Sequence, residues 1–181
     1  IIHTTDGSAP SDTNGTRSAP AGPDAPGSAT VRITTTTTLR AIATKPGHVP
    51  SNVDTQTYLF LDDVLAQPED PPGFPNTWGR FLIGPNSGSP VPADYGIWQT
   101  AVNTHAATII DDLMSLPSLS IVMDRDDLFG SNGLYTVMFP DPERREHSAS
   151  FEWIDPGSQE GFQLNAGIRI FGGGARFHAG T

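Results

Sequence analysis

The sequence predicts a mainly β chain whose second part is α+β, and three observations carry that expectation. Gly and Pro supply 19 and 17 of the 181 residues, so about a fifth of the chain is turn or loop chemistry, which suits short strands joined by long loops. Several short runs alternate apolar and polar side chains, the period of a half-buried strand. One stretch, residues 104–116 with Val102 just ahead of it, spaces Val102, Ala106, Ile109, Ile110, Leu113 and Met114 as one face of a helix.

In order along the chain, residues 2–5 read as a strand ending at the turn cluster Asp6-Gly7-Ser8-Ala9-Pro10, which offers a positive-φ glycine and side-chain acceptors. Residues 11–30 form a Pro, Gly, Ala, Ser and Asp loop with little to bury. Val31-Arg32-Ile33 leads through five threonines into Leu39-Arg40-Ala41-Ile42-Ala43-Thr44, and the β-branched run is expected to be strand. Thr55-Gln56-Thr57-Tyr58-Leu59-Phe60 is a further strand. From residue 63 to 98 the composition shifts to Pro, Gly, Ser and Asn, with Phe74, Trp78, Phe81, Tyr95 and Trp98 as anchors. Those rings either pin a loop to its own domain or form a peptide- or sugar-binding platform. The helix over 104–116 is capped by Asn103 or Thr104 and closed by Pro117, with Asp111 and Asp112 in its C-terminal half. Leu119-Ser120-Ile121-Val122-Met123, residues 148–154 and residues 162–171 are strands. The expected division is 1–62, 63–98 (linker) and 99–181.

Charge and composition exclude several partner classes. A net charge of −10 with 10 Lys and Arg gives no electrostatic footprint for nucleic acid or for an anionic membrane surface. Its dispersed carboxylates read as a solvated acidic surface. There is no cysteine, so disulfides and thiolate metal sites are excluded, and no run is long and apolar enough to span a bilayer. Because the first residue is Ile1 and residues 1–5 read as mid-strand, a fragment open at both ends is expected.

The candidate chemistry is sparse. Asp124-Arg125-Asp126-Asp127-Leu128-Phe129-Gly130-Ser131-Asn132-Gly133 resembles a calcium loop, yet Leu128 and Tyr135 stand where oxygen ligands are required, so a turn with Asp accepting backbone N–H groups is expected. His3, His48, His105, His147 and His178 form no HxH or HxxxH pair, and no metal or catalytic residue is assigned. Asp141, Glu143, Glu146 and Asp155 are either paired carboxylates of the glycosidase kind or solvated loop carboxylates. Asn14-Gly15-Thr16 is a formal glycosylation sequon. The last strand runs into Gly172-Gly173-Gly174-Ala175-Arg176. Without a following Gly-Lys-Ser/Thr or a third glycine at Phe177 this is neither a Walker loop nor a dinucleotide fingerprint. Two readings remain for it, a hairpin turn and a phosphate cradle flanked by Arg169 and Arg176.

Two resemblances cover most of the chain. Thr4-Thr5-Asp6-Gly7-Ser8-Ala9-Pro10, Thr36-Thr37-Thr38-Leu39-Arg40-Ala41-Ile42-Ala43, Lys45-Pro46-Gly47 and Pro50-Ser51 resemble the chitobiase/β-hexosaminidase C-terminal type domain. That resemblance implies a truncated immunoglobulin-like β-sandwich appended to extracellular bacterial proteins. Pro72-Gly73-Phe74-Pro75-Asn76-Thr77-Trp78-Gly79, Ala93-Asp94-Tyr95, Leu116-Pro117-Ser118-Leu119-Ser120-Ile121-Val122-Met123, Asp126-Asp127-Leu128-Phe129-Gly130, Ala149-Ser150-Phe151-Glu152-Trp153 and Gly161-Phe162-Gln163-Leu164-Asn165-Ala166-Gly167-Ile168-Arg169-Ile170 resemble the start of a CotH-like spore-coat kinase domain. This second resemblance implies the beginning of an atypical kinase-like α+β domain, with Arg169, Gly172, Gly173, Gly174 and Arg176 as the nucleotide-binding positions. ATP, a divalent metal, a protein substrate or cell-surface component, and an extracellular or surface location are implied for the parent protein. The family's Lys-containing strand and later acidic residues are not in this sequence, so residues 1–181 alone are expected to be inactive. A non-catalytic carbohydrate- or surface-binding module, or a spacer, is the alternative.

Overall fold

A computed structural model describes residues 1–22, 25–81, 84–135, 146–158 and 160–170. It is mainly β, with antiparallel sheets and a few short helices. The first sheet contains β1 (Ile2–Thr4), β2 (Thr16–Arg17), β3 (Thr37–Ile42) and β4 (Asp54–Tyr58) in the order β2-β1-β3-β4. Ile2 lies opposite Ile42, and Thr4 and Thr55 flank Arg40. With a side-chain period of two, one face therefore carries Ile2, Thr4, Arg40, Ile42 and Thr55, all buried.

Two local departures from the sequence reading have physical reasons. Residues 11–30 contain β2, because Asn14 donates through Nδ2 to Ser8 Oγ and to the Ala9 carbonyl and folds the chain back on β1. The reversal passes through Gly15 at φ +112°, where a Cβ would sit 2.6 Å from the His3 carbonyl oxygen. The threonine run, expected to be strand throughout, joins the sheet only from Thr37. Ahead of it, Thr35 Oγ1 and the Thr36 N–H both donate to the Asp63 carboxylate at 2.6 Å, and Thr36 Oγ1 donates to the Phe60 carbonyl. Asp63 belongs to α1 (Leu61–Leu65), so these hydroxyls tie a helix to the sheet edge.

Residues 63–98 hold a small hairpin of β5 (Thr77–Arg80) and β6 (Pro90–Pro92), with an irregular register between Thr77 and Arg80. The expected helix over 104–116 is a pair of short helices, α2 (Gln99–Thr104) and α3 (Ile109–Met114). Asn103, Thr104, Thr108, Ile109 and Ile110 are weak helix formers, and neither helix buries a residue, so packing does not override propensity. Asp111 and Asp112 consequently occupy the first turn of α3, where the macrodipole favours them, rather than the end of a longer helix.

The last sheet is a meander of β7 (Ser118–Val122), β8 (His147–Ile154) and β9 (Gly161–Ile168). Between β7 and β8 stands α4 (Arg125–Phe129), held to the start of β8 by Asp127 against His147 Nδ1 at 2.9 Å. Ser120 pairs with Glu152, and Ser150 with Asn165, so one face of the meander is polar. That face is turned onto the first sheet. Thr55 Oγ1 donates to Ser150 Oγ at 2.8 Å, Thr57 Oγ1 lies 2.7 Å from Ser120 Oγ, and Glu152 accepts from the Thr57 N–H at 3.0 Å and from its hydroxyl. Asn165 Nδ2 donates to the Val53 carbonyl at 2.8 Å. The stacking of the two sheets is consistent with a β-sandwich. The opposite face of the meander exposes Leu119, Ile121, Trp153, Phe162 and Leu164.

Removing Glu152 leaves the Thr57 N–H without its acceptor and the Thr57 hydroxyl with Ser120 alone, in a partly buried seam. Glu152→Ala is expected to cost about 3 kcal/mol. Urea unfolding followed by circular dichroism measures it, and a loss below about 0.5 kcal/mol contradicts the seam.

Candidate functional site

Arg169, the first of the expected nucleotide-binding residues, stands exposed just beyond the end of β9. Gly172, Gly173, Gly174 and Arg176 lie outside the described residues, as do Asp141 and Glu143. Of the other carboxylates considered for acid–base work, Asp155 accepts from the Gly157 and Ser158 N–H groups and from Ser158 Oγ at 2.9 Å. Its carboxyl is held below the ordinary range by the Ser158 hydroxyl first. It therefore caps the β8–β9 turn. Among the described residues, no three His, Asp or Glu side chains converge as a metal site, and no helix is long and apolar enough to cross a membrane. In the loop that resembles a calcium site, Asp124 Oδ1 accepts from the Ala9 N–H at 2.8 Å and Asp127 meets His147, so two of its carboxylates hold structure together. The Asn14 amide of the sequon is engaged by Ser8 and Ala9.

The arrangement with most chemistry in it is the seam between the sheets. Ser150 and Thr55 are fully buried and Glu152 nearly so. Ser150 Oγ donates to Asn165 Oδ1 at 2.6 Å while accepting from Thr55, giving a chain of hydroxyl, hydroxyl and amide. Beside it, Gln56, Thr57, Glu152, Trp153, Glu160 and Gln163 line a groove of about 590 Å³ at the turn end of β8 and β9. The sequence reading missed this seam. Its signal was the polar alternation Ser148, Ser150, Glu152, which reads equally well as a solvent-facing strand face.

Four of the five aromatic anchors, Phe74, Trp78, Tyr95 and Trp98, resolve into two classes. Trp78 Nε1 donates to the Tyr95 hydroxyl at 3.0 Å, and that hydroxyl donates to the Pro75 carbonyl at 3.0 Å. Trp78 and Phe74 each meet Tyr95 edge-on with ring centroids 5.3 Å apart, and Phe74 and Tyr95 both reach Phe129 of α4. Arg125 adds a hydrogen bond to the Gly73 carbonyl and a guanidinium 5.5 Å from the Phe74 ring centroid. These rings pin the Pro-rich segment to α4. Trp98 stands apart and is 73% exposed.

The Asp6 turn is organised by one carboxylate. Asp6 Oδ1 accepts from Ser8 Oγ at 2.6 Å and from the Ser8 N–H at 3.0 Å, and the hydroxyl is the main cause of a carboxyl held below its ordinary range. Its Gly7 has φ +79°, as the turn chemistry requires.

This turn and the sheet around it carry the recognisable family pattern. Residues 1–58 match the family model described as Fn3 associated. The match spans β1 to β4, so the first sheet is similar to an immunoglobulin- or fibronectin-like associated domain. No curated protein and no solved structure matches the chain.

Trp78→Ala is expected to lower stability by about 2 kcal/mol, and Trp98→Ala by less than about 0.5 kcal/mol, in parallel denaturant titrations. Equal losses contradict the pinned-loop assignment. A depressed Asp6 carboxyl stabilises the fold above the ordinary aspartate range, and that stability is lost as pH falls through its folded value. Asp6→Asn therefore flattens the acid limb of a stability–pH profile, and an unchanged limb counts against the turn's contribution.

Proposed function

We propose that this chain is part of a CotH-like enzyme that transfers phosphoryl groups from ATP to protein outside the bacterial cell. In this reading the Fn3-associated sheet is a non-catalytic module, and the β7–β8–β9 meander opens the phosphotransferase domain. The observation that carries the reading is the orientation of the meander. Its polar face is buried on the first sheet, while Leu119, Ile121, Trp153, Phe162 and Leu164 are exposed on the other. Solvent-facing sheet surfaces in soluble proteins are polar, and a contiguous apolar face calls for a further layer. A kinase-like lobe built on this meander supplies that layer.

Arg169, at the exit of β9 and exposed, is suited to meeting a phosphate there. Phosphoryl transfer also needs metal ligands and a group that positions the acceptor. Neither is assigned among the described residues, and in this proposal other residues of the enzyme supply them.

The test compares two proteins from one reading frame. A longer product that continues past Thr181 is expected to move labelled γ-phosphate from ATP to an acceptor protein in the presence of Mg²⁺ or Mn²⁺, while residues 1–181 show no incorporation above the no-enzyme control. Incorporation by residues 1–181, or none by the longer product, overturns the proposal.

A further inference from the structure

We propose that the cavity between the two sheets beside Arg40 binds a small oxyanion, a carboxylate or phosphate group. The cavity holds about 370 Å³ and is lined by Arg40, Asn52, Ser148 and Asn165 among others. That volume falls in the ~300–1,000 Å³ span of small-molecule sites. Among the described residues its wall contains no Asp or Glu, although carboxylates outnumber Lys and Arg by 20 to 10 in the chain. Arg40 is its one charged lining residue among the described residues.

Arg40 is 7% exposed and poorly compensated. A guanidinium carries five N–H donors in a planar fork. Nη1 donates to the Gly7 carbonyl at 3.1 Å, and Nε has no partner. The nearest carboxylate oxygen, Asp124 Oδ1, lies 3.8 Å from Nη1, too far for a hydrogen bond, and already accepts from the Ala9 N–H. Desolvation lowers the pKa of Arg40 against the attraction of Asp124, the direction expected of a buried cation short of negative charge.

The rest of the wall fits an anion. Ser148 and Asn52 provide neutral hydroxyl and amide donors. Asn165 is fixed by its bonds to Val53 and Ser150, which holds the wall in shape without the ligand. One charged group of opposite sign placed beside the guanidinium adds a charge-assisted pair to its longer contact with Asp124. The competing view is that Arg40 is a strut between β3, the Asp6 turn and Asp124, with no ligand.

The experiment follows the Arg40 Nε–H resonance of the whole 181-residue chain during titration with sodium phosphate and, separately, sodium acetate, against sodium chloride at matched ionic strength. A saturable shift with phosphate assigns a phosphate group, one with acetate assigns a carboxylate, and either supports the site. Asp124→Asn removes the competing carboxylate and is expected to tighten the apparent Kd about tenfold. Ser148→Ala is expected to weaken it several-fold with the fold intact. No saturable shift beyond that of chloride overturns the proposal. So does an affinity that Asp124→Asn leaves unchanged.

Discussion

A carboxylate is tolerated in a protein interior only where donors meet its oxygens, and Glu152 satisfies that condition through a strand of the other sheet. Both of its donors come from Thr57, one from the backbone and one from the side chain. β4 is the edge of the first sheet, and its outward N–H at Thr57 would otherwise face either water or another chain. The carboxylate therefore closes an edge as it fills its own valence. Ser150 with Thr55, and Asn165 with the Val53 carbonyl, repeat the arrangement along the same seam. Each bond is directional, so the seam fixes how the sheets meet more tightly than contact between methyl groups would.

The same seam explains the inverted look of the meander. With its polar face committed to the first sheet, β7, β8 and β9 turn their apolar residues outward. Among the described residues the buried apolar side chains are few: Ile2, Ile42, Val122 and Ala149. Hydroxyls, an amide, a carboxylate and Arg40 occupy positions that aliphatic side chains fill in an ordinary sandwich. The aromatic clamp between residues 73–95 and α4 is a separate contact, and it holds the Pro-rich segment without drawing on the seam.

Local order was legible in the sequence wherever period and turn chemistry agreed. Residues 2–5, 55–60, 119–123 and 148–154 read as strands and appear as β1, β4, β7 and β8 within two residues at each end. The helix over 104–116 did not survive as one piece, because apolar spacing was satisfied while propensity and burial were not. The threonine run misled for a related reason. β-branching favours extended backbone, but Thr35 and Thr36 found a better acceptor in Asp63 than a neighbouring strand offered. The seam was illegible because a polar strand face bonded to another sheet has the same pattern as one bonded to water. What separates them is the partner, and Thr55 lies 95 positions from Ser150.

Amide hydrogen exchange at Thr57 reports directly on whether the carboxylate holds the strand edge. An edge-strand N–H open to solvent exchanges through local fluctuation, whereas one held by a buried carboxylate exchanges only when the sheets separate. Thr57 is expected to be protected to the level of the slowest amides in β3 and β8. Exchange of Thr57 at the rate of an exposed strand edge, with β3 and β8 still protected, would contradict it.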